Sequence, residues 1–189
     1  GEAAFSGRLR DDGGMEEAMA RILDGKAHAD RMLDEVRSGV AARAARGLRP
    51  PCLAVVLVGE DPASQVYVRG KVKACGETGI RSLEHRLPGD TSQSELDGLI
   101  DRLNADAGVD GILVQMPLPR HLDPKAVLQR IAPAKDVDGL HPFNQGLLCQ
   151  GVPGLRPCTP SAVMNMLRAY GVVMKGARAL VLGRNDAGE

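Results

Sequence analysis

Residues 53–59 read "LAVVLVG", an almost unbroken apolar run rich in β-branched side chains. A strand with one wet face alternates polar and apolar residues. This one does not, so it reads as a strand buried on both faces, the kind found in parallel sheets covered by helices on two sides. Further runs repeat the theme: "GILVQMP" (111–117) as a second buried strand, "ARALVLG" (177–183) as another, and "SLEHRLP" (82–88), which alternates as a strand near an edge should. Segments of helical period lie between them, so the expected fold class is α/β, a three-layer domain around a parallel sheet.

Working outward, residues 26–46 carry Met32, Leu33, Val36 and Val40 at helical spacing and stop at Gly47. Asp61 and Pro62 form an N-cap and first-turn pair for a helix running to about Glu77, with Gly79 as its stop. "TSQSELDGLIDRL" (91–103) opens with capping residues and sets Leu96, Leu99, Ile100 and Leu103 on one face. Asp123 and Pro124 start a short helix through Ile131. A last helix over 159–171 is expected to be capped by Thr159, with Pro160 following.

The chain has 189 residues, is 43% hydrophobic and 25% charged, and balances 24 Lys and Arg against 24 Asp and Glu. A nucleic-acid binder usually carries a basic surplus and aromatic stacking platforms; here aromatics are 2%. No apolar run approaches the ~20 residues of a membrane span. Cys52, Cys75, Cys149 and Cys158 make no C-x-x-C pair, so they read as small buried thiols, and no metal is expected. Residues 1–14, "GEAAFSGRLRDDGG", lack the apolar core of a secretory signal and read as a disordered leader before Met15.

Three stretches could carry chemistry. In "VYVRGKVKACGETGI" (66–80), Tyr67 and Lys71 are one helical turn apart and share a face. They are either a solvated rim or a pair facing a ligand. Gly70 between them weakens the helix by ~1 kcal/mol and hints at close approach. In "VQMPLP", Gln115 lies at the carboxyl end of a buried strand, where ligands bind in open parallel sheets. Its plain alternative is to satisfy loop amides; Pro117 and Pro119 then stiffen the strand exit. In "KDVDGLHPFNQG" (135–146), Asp136 and Asp138 would point the same way if the segment were extended. A carboxylate there could accept two parallel N–H bonds from a planar edge, or simply cap turns.

Taken together and in order, "VLVGEDPASQVYVRGKVKACGETGI", "GILVQMPLP", "KDVDGLHPFNQG" and "RPCTPSAV" resemble the bifunctional methylenetetrahydrofolate dehydrogenase/methenyltetrahydrofolate cyclohydrolases. The likeness runs from about Ile22 to Gly183. It implies NADP-dependent (or NAD-dependent) oxidation of 5,10-methylenetetrahydrofolate, and hydrolysis of the methenyl product to 10-formyltetrahydrofolate, in one-carbon metabolism that feeds purine biosynthesis. By that resemblance Lys71 matches the catalytic lysine of the family's Y-x-x-x-K motif. Tyr67 matches the tyrosine along the folate, Gln115 the glutamine that tunes the lysine, and Asp138 the pterin-binding aspartate. Pro117 joins the substrate-binding set, and Asp136 does so as a weaker candidate, better suited to supporting the loop. The chemistry is consistent: a lysine that takes a proton must be neutral, a state favoured by desolvation and by a cationic ligand. Glutamine can bond such an amine without the charge that would fix it as ammonium.

The resemblance also implies an organisation. Residues 15–158 are expected to form the catalytic folate-binding domain and 159–172 a linking helix. Residues 173–189 are expected to form only the start of a Rossmann-type NAD(P) domain. Gly183 and Arg184 match the opening of the family's G-R-S-x-x-V-G cofactor loop, Asn185 stands in place of its serine, and "DAGE" does not continue it. The expectation is a fragment with impaired dehydrogenase activity, or alternatively a non-catalytic folate-binding module or inactive remnant. The resemblance further implies a cytoplasmic enzyme that acts on tetrahydrofolate derivatives and is a homodimer when full length; no nucleic-acid or membrane partner is expected.

Overall fold

The computed structural model describes residues 22–180. The leader assigned to residues 1–14 therefore lies outside the described residues, as do residues 181–183 of the expected last strand and the cofactor candidates Gly183, Arg184 and Asn185.

In chain order the elements are helix α1 (Gly25–Ala45), strand β1 (Cys52–Val58), helix α2 (Pro62–Thr78), strand β2 (Arg81–Leu87), helix α3 (Gln93–Ala105) and strand β3 (Gly111–Val114). Helix α4 (Pro124–Arg130), a 3-10 turn (Pro133–Lys135), helix α5 (Pro142–Cys149) and helix α6 (Cys158–Ala169) follow. Among the described residues the sheet has three parallel strands in the order β2-β1-β3. "LAVVLVG" is thus the central strand. Val55, Val56 and Ala54 have no exposed surface at all, because both faces are covered. On one face Ala54, Val56 and Val58 pack with Leu96, Leu99, Ile100, Leu103 and Val127 from α3 and α4. On the other, Val55 and Leu57 meet Leu113 of β3 and Val68 of α2, giving three layers. Burying side chains of this size contributes about 1.5–3 kcal/mol each, so the sheet's two faces hold most of the stability.

Local signals set the ends of several elements. The Asp61 side chain accepts from the Ser64 amide at 2.7 Å, and that bond holds its carboxyl below the usual range. Gly79 closes α2 at φ 79°, a conformation that only glycine adopts without strain. Ser92 and Glu95 form a reciprocal capping box on α3.

The structure departs from the sequence reading at several places. Residues 177–180 form no strand, since a strand needs a hydrogen-bonded neighbour and none of the described elements pairs with them. Helix α1 has no buried residue: Met32 and Val36 stay 37% and 41% exposed, and it meets the body through Val40 and an Arg37 Nε–Glu77 carbonyl hydrogen bond of 2.9 Å at the end of α2, and through Gly25 beside Met166 of α6. Helix α6 begins at Cys158, not after Thr159; Pro160 sits inside its first turn, where a missing N–H leaves no bond unmade. Cys149 and Cys158 are exposed residues, whereas Cys52 and Cys75 are buried as expected. The 135–146 stretch also holds the start of α5, whose N-cap is the His141 ring: Nδ1 accepts from the Phe143 amide at 3.0 Å.

Candidate active site

Helix α2 is rolled so that Val68 has no exposure and plugs into the sheet. That roll places positions 67 and 71 on the flank beside the core. Lys71 is half-buried, and Tyr67 lies at 64% exposure. A Cβ built on Gly70 meets nothing within 4 Å, so no described residue requires glycine between them.

Lys71 crosses to the sheet. Its Nζ donates to Oε1 of Gln115 at 3.1 Å, a contact between residues 44 apart in sequence. Gln115 sits just beyond β3, and its amide nitrogen extends the ladder by donating to the Val56 carbonyl at 2.9 Å. Its Nε2 donates to the Met116 carbonyl at 2.7 Å. That second bond turns Oε1 toward the lysine, so the amine meets a neutral acceptor. The Met116–Pro117 peptide is cis, and Pro117 is exposed next to this exit.

The third stretch is a turn and not an extended segment, because the Gly139 amide donates to the Asp136 carbonyl at 3.2 Å. The two aspartates consequently have different surroundings. Asp136 is 2% exposed, and its carboxylate accepts from the Leu140 amide (3.3 Å), the His141 amide (2.8 Å) and Asn144 Nδ2 (2.8 Å). Its backbone also makes a parallel bridge with Ile112, against the outer edge of β3. Lys135 secures the near end: Nζ donates to the carbonyls of Leu103, Asn104 and Asp106 at 2.9, 2.8 and 2.7 Å, closing the last turn of α3. Asp138 is half-buried on the tip.

Sequence reasoning missed Cys158 as a neighbour of this tip. Although the residue as a whole is exposed, its thiol is partly desolvated, and that pushes it up, as do the charge and hydrogen bond of Asp138, while the positive charge of Lys71 pulls it down. Asp138, Cys158 and Lys71 therefore share one electrostatic neighbourhood. Cys158 lay inside the quoted "RPCTPSAV", but nothing local to that stretch points to a turn about 20 residues earlier.

Lys71 and Gln115 thus meet at the carboxyl end of a parallel sheet, the place where open sheets of this kind bind ligands, and Asp138 stands on a braced turn in the same electrostatic neighbourhood. Residues 23–138 match the catalytic domain of tetrahydrofolate dehydrogenase/cyclohydrolase. The chain belongs to this family. It is 54% identical over 167 residues to the bifunctional protein FolD of Neisseria gonorrhoeae, an alignment that covers 88% of this chain and 59% of the relative. Among solved structures it is similar to the FolD methylenetetrahydrofolate dehydrogenase/cyclohydrolase of Campylobacter jejuni, at 47% identity and a TM-score of 0.77, over 79% of this chain and 53% of that one. The Trypanosoma brucei FolD, solved with NADP and an inhibitor, gives 39% identity and a TM-score of 0.84 over 89% and 58%. The chain thus spans about three fifths of the length of the curated relatives it matches. As a member of the tetrahydrofolate dehydrogenase/cyclohydrolase family it has the expected three-layer α/β fold.

Proposed function

We propose that this chain binds tetrahydrofolate derivatives and carries the hydrolytic site of a bifunctional methylenetetrahydrofolate dehydrogenase/methenyltetrahydrofolate cyclohydrolase. The observation that supports it most is the Lys71 Nζ–Gln115 Oε1 contact at 3.1 Å, which sets an amine against a neutral acceptor at the carboxyl end of the sheet. Asp138 takes the pterin edge, Tyr67 lies along the folate, and Pro117 lines the wall. Asp136, enclosed by three donors, braces the turn.

In hydrolysis, water adds to the methenyl carbon, and Lys71 in its neutral form accepts a proton from the attacking oxygen. The bond from that carbon to N5 then breaks, leaving the formyl group on N10 and a proton on N5. Gln115 keeps the amine aimed at the carbon and adds no negative charge that would hold it as ammonium. Oxidation of the methylene form is assigned to NADP (or NAD), which when bound supplies the hydride acceptor. Gly183, Arg184 and Asn185, its proposed contacts, lie outside the described residues. A homodimer in the cytoplasm is the proposed setting. Among the described residues no helix is long and apolar enough to cross a membrane.

The test follows the loss of the methenyl chromophore in the presence of the chain. Removing a positioned base typically costs 10²–10⁴-fold, so Lys71→Met should slow enzymatic hydrolysis by at least ~100-fold at an unchanged melting temperature. A variant rate within threefold of the parent would remove Lys71 from the mechanism. A parent that binds a folate analogue but does not exceed the buffer rate would identify a binding module.

A further inference from the structure

We propose that Cys158 is a positioning residue for Asp138, its thiol tying the aspartate's turn to the first turn of α6. Asp138 lies between two points where these segments touch. On one side, Cys158 Sγ donates to the Val137 carbonyl at 3.3 Å. On the other, Gly139 (φ 67°) is pressed so closely that a Cβ built on it would lie 2.2 Å from the Arg156 carbonyl carbon and 2.6 Å from the Pro157 nitrogen. Residues 137–139 and 156–158 are therefore packed backbone on backbone, and the Cys158 thiol reaches across the join.

The electrostatics fit a donor. Burial is the largest influence raising the Cys158 thiol, and the Asp138 carboxylate adds to it. A thiol so placed keeps its proton and can give it to the Val137 carbonyl or the Asp138 carboxylate. A thiolate would set two negative charges side by side. Nothing in this needs Cys158 to act as a nucleophile. Its consequence for binding rests on the folate reading of Asp138, but the contact itself does not.

Two measurements on the full chain separate these. In the first, calorimetric titration with a folate analogue compares the parent, Cys158→Ala and Cys158→Ser. A net hydrogen bond of about 1 kcal/mol corresponds to roughly fivefold in affinity, so Ala should weaken binding by about that factor and Ser should restore it to within about twofold. Equal affinity of Ala and parent, or of Ala and Ser at a weakened value, would overturn the positioning role. The second needs no folate. Iodoacetamide alkylation of Cys158 is followed by peptide mass spectrometry at a series of pH values, with Cys149 as internal reference, in the parent and in Asp138→Asn. Neutralising Asp138 should shift the Cys158 alkylation profile to lower pH and leave that of Cys149 in place. An unmoved Cys158 profile would overturn the contact even if Cys158→Ala failed to fold. If no folate analogue binds the parent, the folate reading fails while the alkylation result still decides the contact.

Discussion

The turn that carries Asp138 and the helix face that carries Tyr67 and Lys71 are built in opposite ways. Around the turn nearly every residue is fastened: Lys135 to three carbonyls, Asp136 to three donors and to the edge of β3, Gly139 to the backbone of Arg156 and Pro157. The Lys71 amine, by contrast, sits at the end of a flexible side chain and meets the sheet through Gln115, while Tyr67 stays exposed. On the proposed reading, the difference matches two kinds of work. Reading a planar edge demands a carboxylate fixed in place before the ligand arrives, since ordering it afterwards would cost binding energy. Taking a proton demands an amine that can change partners. Damage to the turn should therefore appear in folding and affinity, and damage to the helix face in turnover.

The comparison breaks most visibly at Gly139. Replacing it by alanine puts a Cβ into the Arg156 carbonyl and forces a non-glycine residue to φ 67°. Left-handed strain and overpacking each cost about 1–3 kcal/mol, so Gly139→Ala should destabilise the chain by roughly 3 kcal/mol, read as a fall in the urea midpoint. A variant as stable as the parent would mean the turn is not clamped. The opposite limb is probed at Gln115. Glutamate there would hold the lysine as ammonium, so Gln115→Glu should lower hydrolysis more than about tenfold while leaving the urea midpoint near that of the parent. A loss confined to stability would put Gln115 with the braced region and not with the chemistry.

The smallest effect concerns acid. Asp110 is held below the usual range first by its hydrogen bond from Arg49, Asp101 by that from Arg130, Glu95 by that from Ser92. For each, the folded value is depressed, so its contribution is present above the unfolded value of about 4 and is lost as pH falls through the folded one. Stability should decline below about pH 4, and Asp110→Asn should make that decline shallower. The gain is small, because Arg49 and Asp110 are 45% and 44% exposed and solvent screens the pair. Urea midpoints at about pH 5 and about pH 3, either side of that window, provide the check; an equal drop in parent and variant would remove Asp110 from the acid response.

What could be read from the sequence was what is decided locally. The central strand announced itself by lacking alternation, Asp61 and Gly79 bounded α2, and the Ser92–Glu95 box opened α3. The apolar positions of α3 were all buried as their spacing required. Helix α1 showed the limit of that logic: a periodic apolar stripe predicts a helix, but whether anything covers it depends on the rest of the fold. Helix α5 escaped because its cap is a histidine ring nitrogen, outside the usual Ser, Thr, Asp and Asn set. In the site, the one-turn spacing of Tyr67 and Lys71 left a solvated rim and a ligand face both open. The strand end pointed to Gln115, the family motifs linked it to the lysine, and three dimensions bring its Oε1 to that amine. The two-residue spacing of Asp136 and Asp138 suggested equivalence and was misleading, because a turn separates what an extended strand would align.

That separation is where the account can be tested most directly. Calorimetric titration with a folate analogue, run beside thermal melts, should be carried out on Asp136→Asn and Asp138→Asn. Asp138→Asn should lose roughly 1.5–3 kcal/mol of binding free energy, as expected for a hydrogen bond to a charged group, with its melting temperature close to the parent's. Asp136→Asn should melt lower and lose less affinity, because its carboxylate is already engaged by Leu140, His141 and Asn144. Equal affinity losses in the two variants, or a larger loss for Asp136→Asn, would contradict the assignment of one aspartate to the ligand and the other to the turn.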